Sequence, residues 1–130
     1  MFRRIIIVLS LAASILGLVA CSGSSKISVT TTDTKFEPLT WTVNAGKQVT
    51  ITITNNGVLD HEWVLLKQGQ DVTVPFDADD EDKVFWEIEA GPGETKTETF
   101  TAPSEAGTYK VVCGTPGHIE LGMVASLVVK

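Results

Sequence analysis

The sequence predicts an all-β fold, a sandwich of two sheets built from about seven to eight short strands. Apolar and polar residues alternate from Gln48 to Thr54, which is the period of a strand with one buried face. Turn-forming residues separate several such stretches, as at Asn55-Asn56-Gly57. After residue 21 the sequence shows no sustained helical stripe of apolar residues. Short strands joined by turns, without long helices, are typical of a β-sandwich.

The first element is predicted to be a signal peptide rather than part of the fold. Arg3 and Arg4 form a short positive region, and residues 5–20 are uncharged and mostly aliphatic. This stretch is shorter than the ~20 residues that a bilayer-spanning helix needs. We therefore assign residues 1–20 to a signal that directs export.

The end of this signal resembles the lipobox of bacterial lipoproteins. The segment Leu18-Val19-Ala20-Cys21 matches that motif, in which the cysteine is lipidated and becomes the new N-terminus. Residues 21–26 would then be a lipidated, flexible tether, and residues 27–130 the folded domain. An ordinary secretory signal and an uncleaved anchor helix are the alternatives. All three place the domain outside the cytoplasm, and the lipobox places it on the cell membrane.

The remaining strands are predicted from shorter alternating or β-branched stretches. Gly-Pro-rich segments such as Gly91-Pro92-Gly93 mark some of the boundaries between them. Trp63 and Tyr109 fall on strand positions where core packing is expected. Besides residues 48–54, the predicted strands cover residues 27–32, 61–67, 84–89, 95–100, 108–113 and 122–129.

Composition and charge limit the classes of partner. The 130 residues suit one compact domain, and 16 acidic against 10 basic residues give a net charge of -6. Nucleic acid binding needs a basic face, so this class is excluded. Residues 77–82 contain five acids among six residues. Such a run is either a solvated loop or a docking patch for a basic partner, and the sequence leaves both open.

Beyond Cys21 the chain has a small and complete set of soft metal ligands. They are one cysteine, two histidines and one methionine: His61, Cys113, His118 and Met123. Two imidazoles and a thiolate in a trigonal set, with a weak axial thioether, form a blue-copper electron-transfer site. The predicted cofactor is therefore one copper ion that alternates between Cu(I) and Cu(II).

The spacing of these residues suits a single site. Cys113 is expected to end a strand, and Pro116-Gly117 to turn the chain back so that His118 reaches the same metal. Met123 is expected to begin the next strand. His61 comes from far upstream and would attach this loop to the rest of the domain.

On these residues the chain resembles the cupredoxins, the small blue copper proteins. The segment from Tyr109 to Met123 is similar to their C-terminal ligand loop, and residues 55–64 look like their first-ligand segment. The loop length looks more like that of rusticyanin and auracyanin than that of plastocyanin. The resemblance covers roughly residues 26–130. It implies a Greek-key β-sandwich with copper at one end and one-electron transfer between larger redox complexes.

Three positions depart from the family pattern. Many cupredoxins have Asn after the first histidine ligand and Ser or Thr after the cysteine, where this chain has Glu62 and Gly114. The side-chain hydrogen bond that joins the two ligand segments is therefore not expected here. The backbone N–H of Glu62 could still reach the Cys113 thiolate. Azurin-like members have Gly before the first histidine ligand, and its carbonyl approaches the copper. This chain has Asp60 at that position, so we do not expect a second axial ligand here.

The expected function is that of a membrane-tethered electron carrier, a monomer without enzymatic activity. Its expected partners are redox proteins such as a cytochrome or a membrane electron-transfer complex. A copper chaperone or storage protein is the first alternative. An enzyme would need further metal ligands, and the dinuclear copper centre of respiratory oxidases would need two nearby cysteines. A zinc site is conceivable from Cys and His, but Met is a poor zinc ligand.

Overall fold

The computed structural model describes residues 23–130, so the expected signal peptide and Cys21 lie outside the described residues. This part of the chain forms two sheets and one short 3-10 helix. The helix covers Ala78–Lys83. The strands are β1 (Ser25–Thr32), β2 (Lys35–Glu37), β3 (Thr40–Val43), β4 (Gln48–Asn55), β5 (His61–Leu66), β6 (Val84–Ala90), β7 (Thr95–Thr101), β8 (Gly107–Val112) and β9 (Val124–Val129).

The two sheets have the strand orders β2-β1-β4-β7 and β3-β9-β8-β5-β6. Strands β1 and β4 pair in parallel, as do β3 and β9, and the other paired strands are antiparallel. Chain neighbours such as β3 and β4 therefore belong to different sheets. The predicted all-β sandwich of two sheets is confirmed.

Strand β4 shows why the alternation in the sequence produces this architecture. Val49, Ile51 and Ile53 are fully buried between the sheets, and the threonines between them lie on the outer face. The outer face carries hydroxyl pairs across strands, with 2.8 Å between the Oγ1 atoms of Thr52 and Thr97. Each apolar side chain of this size stabilises the fold by about 1.5–3 kcal/mol when it is buried.

Strand β5 does not alternate, because both of its faces are covered. Trp63 and Leu65 point into the main core, whereas Val64 and Leu66 form a second, smaller cluster with Val112. The segment that follows β5 packs over this outer cluster through side chains such as Phe76. As a result, β5 is held firmly on both sides, and it begins at His61.

Aromatic side chains fill the centre of the main core. Trp63 is fully buried and lies 5.7 Å from the ring centroid of Trp41 and 6.1 Å from those of Trp86 and Phe100. Tyr109 is also buried, and its hydroxyl donates to the backbone carbonyl of Glu105 at 2.7 Å. The core roles predicted for Trp63 and Tyr109 are confirmed.

Several predicted boundaries need correction. Strands β2 and β3 were not predicted, because they have only three and four residues and show too few alternations. Strand β1 begins at Ser25, so the end of the expected tether at residues 21–26 is part of a strand. Cys113 follows β8 and Met123 precedes β9, so both lie just outside the strands to which they were assigned.

The acidic run at residues 77–82 is folded rather than extended. Asp77 caps the 3-10 helix by accepting a hydrogen bond from the backbone N–H of Asp79 at 2.9 Å. Asp80 is fully buried and pairs with Lys83 at 2.7 Å. The remaining acids of the run are exposed: Asp77, Asp79, Glu81 and Asp82. Asp80 is therefore a structural residue and is not available for docking.

Within residues 23–130, we find no helix with the length and apolar character needed to cross a bilayer.

Candidate metal centre

The predicted ligands meet at one end of the sandwich, where two neighbouring strands bring distant parts of the chain together. Strand β5 pairs antiparallel with β8, with Val64 opposite Val112. This pairing places the start of β5, and hence His61, beside the end of β8, which Cys113 follows. The loop between β8 and β9 then carries His118 over the same end and returns through Met123.

Three donor atoms converge in this place. The side chains of His61, Cys113 and His118 each offer one ligand atom, and these atoms all lie within 4.8 Å of one another. The Cys113 Sγ atom is 3.3 Å from Nδ1 of His118 and 3.8 Å from Nδ1 of His61. Each imidazole therefore directs its Nδ1 atom toward the Cys113 sulfur, as expected for donors that bind one ion.

The site is closed to solvent except at one edge. His61, Cys113 and Met123 have 0% exposure, and His118 has 4%. The imidazole rings of the two histidines are 4.9 Å apart between centroids. The narrow opening at His118 is thus the only point at which solvent reaches the four predicted ligands.

Backbone hydrogen bonds fix the loop that carries three of the ligands. The N–H of Cys113 donates to the carbonyl of Met123 at 3.1 Å, and the N–H of Met123 donates to the carbonyl of His118 at 3.0 Å. Gly117 and Gly122 adopt φ values of 86° and 90°, which L-residues with side chains rarely adopt. The tight return predicted for Pro116-Gly117 is present, and Met123 is tied to both other ligands of the loop.

The electrostatic environment suits a metal ion. Burial lowers the pKa of His61, and the neighbouring His118 lowers it further, which favours the neutral imidazole that a metal ion binds. Burial raises the pKa of the Cys113 thiol, and hydrogen bonds from the backbone N–H groups of Glu62 and Thr115 oppose this only in part. A bound cation supplies the charge that converts such a thiol to the thiolate. The buried N₂S donor set, with the buried Met123 thioether on the loop that carries two of the donors, therefore fits copper.

Two residues that support the site were not recognised in the sequence. Asn55 is fully buried, and its side-chain amide donates to the carbonyls of Leu59 at 2.7 Å and Ala90 at 2.9 Å. Its side-chain oxygen accepts the N–H of Gly57 at 2.8 Å. Gly57 lies close to the His61 ring. A Cβ atom added at position 57 would be only 2.9 Å from Nε2 of that ring. The motif Asn55-Asn56-Gly57 predicts a turn in this loop. It does not predict that Gly57 contacts the metal ligand His61.

Comparison with known proteins supports the same assignment. Residues 23–130 match the model of a family described as copper binding proteins, plastocyanin/azurin family. The chain belongs to this family. The protein is therefore a cupredoxin, and the resemblance noted in the sequence is confirmed.

Similar proteins include two named copper proteins. The copper-resistant cuproprotein CopI of Rubrivivax gelatinosus is 32% identical over 118 residues, which cover 85% of this chain and 70% of the relative. Auracyanin-A of Chloroflexus aurantiacus is 36% identical over 109 residues, which cover 72% of this chain and 66% of the relative.

Solved structures of auracyanins share the fold of this cupredoxin. That of Chloroflexus aurantiacus auracyanin A has a TM-score of 0.70 and 32% identity, and the match covers 83% of this chain and all of that one. Reduced auracyanin of Roseiflexus castenholzii has a TM-score of 0.71 and 26% identity, with 82% and 97% of the two chains covered. The Greek-key sandwich is thereby confirmed. The cofactor is one copper ion, with His61, Cys113, His118 and Met123 arranged as a type 1 site.

The structure of this cupredoxin also shows how it accommodates its departures from the family pattern. The backbone N–H of Glu62 lies 3.5 Å from the Cys113 sulfur, as expected from the sequence. The Glu62 carboxylate is half-buried over Gly114, where a Cβ atom would be 2.0 Å from its Oε2. Burial, followed by Glu89 and Glu87, raises the pKa of Glu62. A side chain at position 114 would therefore displace the Glu62 carboxylate from this position.

Proposed function

We propose that this cupredoxin is a one-electron carrier that shuttles electrons between redox complexes at the outer face of a membrane, and that it is not an enzyme. The observation that carries the proposal is the closed donor set, in which three ligand atoms lie within 4.8 Å of one another and only His118 has any exposure. When bound, copper accepts or gives one electron at this site. A substrate has no open position in the donor set to occupy.

The supporting argument for a carrier is mechanical rigidity. His61 begins a strand that is buried on both faces, and the loop with the other ligands is fixed by its own backbone hydrogen bonds. A trigonal site of this kind suits both oxidation states of copper. Residues that do not move on a change of charge keep the barrier to electron transfer low.

We propose that partners dock at the end of the sandwich where one edge of the largely buried His118 reaches solvent. Leu121 on the ligand loop is 64% exposed, and Val58 and Leu59 on the loop before His61 are 75% and 50% exposed. These two loops meet at the contact between the His61 and His118 rings. A small apolar surface of this type suits a short-lived complex, since weak redox encounters bury little area.

Charge would orient the partner. The exposed acids Asp79, Glu81 and Asp82 are candidates for attracting a basic redox protein such as a cytochrome. We further propose that the protein acts as a monomer and that the lipid at Cys21 keeps it at the membrane, where its partners would lie.

A role in copper handling is the second candidate. It is supported by the relative that is named a copper-resistant cuproprotein. A chaperone or storage protein must release its ion to an acceptor, and 0% exposure of His61, Cys113 and Met123 argues against easy release. The carrier role is therefore preferred.

The first experiment tests the copper site and separates the two roles. Purified domain is loaded with Cu(II), and the visible spectrum, the copper content and the exchange of electrons with a redox dye are recorded. We expect one copper per chain, an intense thiolate-to-copper band and electron exchange without loss of copper. Cys113→Ser should abolish the band. Rapid transfer of copper to a chelator, together with slow electron exchange, would support copper handling instead.

The second experiment tests docking. The electron-transfer rate with a basic cytochrome should fall as salt rises, because the Debye length is only ~8 Å at physiological salt. Replacing Asp79, Glu81 and Asp82 by amides should flatten this dependence and leave the copper spectrum unchanged. Leu121→Glu should slow transfer even at high salt, whereas Val74→Glu, at an equally apolar exposed position, should not. A rate unaffected by the acidic triplet would make residues 77–82 a solvated turn.

A further inference from the structure

One side-chain hydrogen bond joins the two segments that carry the metal ligands. The hydroxyl of Thr115 donates to the backbone carbonyl of Asp60 at 2.9 Å, across 55 positions of the sequence. Asp60 immediately precedes His61, and Thr115 follows Cys113 by two residues. The bond therefore connects the first-ligand segment directly to the C-terminal ligand loop.

The backbone of Thr115 makes a second contact within the site. Its carbonyl accepts a hydrogen bond from the N–H of His118 at 3.1 Å and so closes the turn between Cys113 and His118. Thr115 thus contacts His118 through its backbone and the neighbour of His61 through its side chain. Two contacts to the Cys113 sulfur also join these segments, one from the N–H of Glu62 at 3.5 Å and one from Nδ1 of His61 at 3.8 Å.

The local sequence explains why the hydroxyl comes from position 115. Gly114 carries no side chain, and the Glu62 carboxylate occupies the space that a side chain at position 114 would need. A hydroxyl at position 114 is therefore excluded while Glu62 keeps its place. The next residue of the loop supplies the hydroxyl and bonds to the backbone on the other side of His61.

We propose that Thr115 is a positioning residue of the copper site, which fixes the C-terminal ligand loop against the segment that presents His61. It does so through the hydrogen bond from its hydroxyl to the carbonyl of Asp60, the residue before the first ligand. Removing the hydroxyl frees this carbonyl and loosens the distance between His61 and the Cys113–His118 pair. The inference rests on the copper site and not on electron transport, so a protein that binds copper but transfers no electrons would leave it standing.

The test compares Thr115→Val with Thr115→Ser and with the matched control Thr52→Val. Thr52 is also a half-buried threonine whose hydroxyl bonds across strands, to Thr97 at 2.8 Å, on the outer face of the other sheet. Each variant is measured without copper by thermal unfolding and with Cu(II) by visible and electron paramagnetic resonance spectroscopy. Copper release to a chelator is timed.

We expect Thr115→Val to shift or weaken the thiolate-to-copper band at equal copper content and to speed copper release about five- to tenfold, the factor that corresponds to one lost hydrogen bond. Thr115→Ser should restore both properties, and Thr52→Val should leave both unchanged. The copper-free forms of the two valine variants should unfold at similar temperatures.

Two results would overturn the proposal. One is a Thr115→Val protein with unaltered spectra and release rate. The other is a variant that loses stability without copper while its copper spectrum is unaltered, because Thr115 would then act on the fold alone. If Thr115→Val does not fold, Thr115→Ala removes the same hydroxyl without the branched methyl group and decides between the same outcomes.

Discussion

At the scale of single residues, Met123 is expected to influence the reduction potential of the copper more than the binding of the copper. Its side chain is fully buried in the main core, and its backbone is bonded to both Cys113 and His118. Leu has nearly the same volume, so Met123→Leu should cost about 1 kcal/mol or less in stability. Because the axial bond is weak, this variant should keep copper, and its reduction potential should rise as a thioether donor is lost.

Voltammetry and copper analysis of the same sample check this expectation. Wild-type protein gives the reference potential under identical buffer conditions. Loss of copper from Met123→Leu would contradict the geometry, because the thioether would then be one of the principal ligands.

The donors could be predicted from the sequence, whereas the residues that hold them could not. His61, Cys113, His118 and Met123 are the only Cys, His and Met residues after Cys21, and this scarcity together with their spacing indicated a common site. Asn55 and Thr115 are common residue types, and their roles depend on carbonyls that tertiary contacts bring near. For Glu62 and Gly114 the sequence indicated a missing family contact, but the space that Glu62 fills is visible only in the structure.

At the scale of elements, Asn55 should control the loop between β4 and β5. Its three side-chain hydrogen bonds hold this loop against Ala90 of β6. Asn55→Ala leaves the carbonyls of Leu59 and Ala90 without partners, so the free energy of unfolding should fall by about 2 kcal/mol. Asn56 is the exposed neighbour and provides the control. Asn56→Ala should change the free energy of unfolding by less than about 0.5 kcal/mol. Urea unfolding of copper-free protein measures both, and equal effects would contradict this role.

The 3-10 helix should depend on the ionisation of Asp80. Its hydrogen bond with Lys83, helped by the N–H groups of Thr73 and Asp77, lowers the pKa of Asp80. The folded state therefore holds fewer protons than the unfolded chain, whose Asp pKa is about 3.9. The stabilisation is complete above that value and is lost as the pH falls through the lower folded pKa.

Copper-free Asp80→Asn should consequently be less stable than wild type at pH 7, and the difference should shrink toward pH 3. Chemical unfolding at a series of pH values gives this curve. Asp79→Asn, at an exposed position of the same helix, should follow the wild-type curve closely. A constant difference between Asp80→Asn and wild type at every pH would argue against the ion pair as the cause.

The longer strands were predictable, and the shortest elements were not. Strand β4 has eight residues and a clear period of two, so its bounds agree with the prediction to within one residue. Strands β2 and β3 bury Phe36 and Trp41, but each offers one or two alternations, which chance also produces. Within residues 77–82 nothing distinguishes Asp80 from its neighbours until the chain folds over it.

At the scale of the whole molecule, Cys21 is predicted to decide where the protein resides. Cys21→Ala should block lipidation and the associated cleavage, so the variant should keep a higher mass than the processed wild type. Mass spectrometry of membrane and soluble fractions measures both effects. A variant with the wild-type mass and unchanged membrane attachment would favour an uncleaved anchor helix.

Sheet order is a property of the whole molecule that alternation in the sequence does not encode. The parallel pairings of β1 with β4 and of β3 with β9 join strands whose patterns would equally suit other neighbours. The Greek-key arrangement was expected only because the ligand segments resemble those of cupredoxins.

The division of the ligands along the chain has a consequence for the order of assembly during folding. Cys113, His118 and Met123 lie within one short loop, and loops of about ten residues close in ~10–100 ns. His61 lies 52 positions before Cys113 and joins them only when β5 has paired with β8. When the complete unfolded chain begins to fold, the three loop donors are therefore expected to meet before His61 joins them. We expect copper added during folding to bind the loop first and to gain His61 as a ligand when β5 pairs with β8.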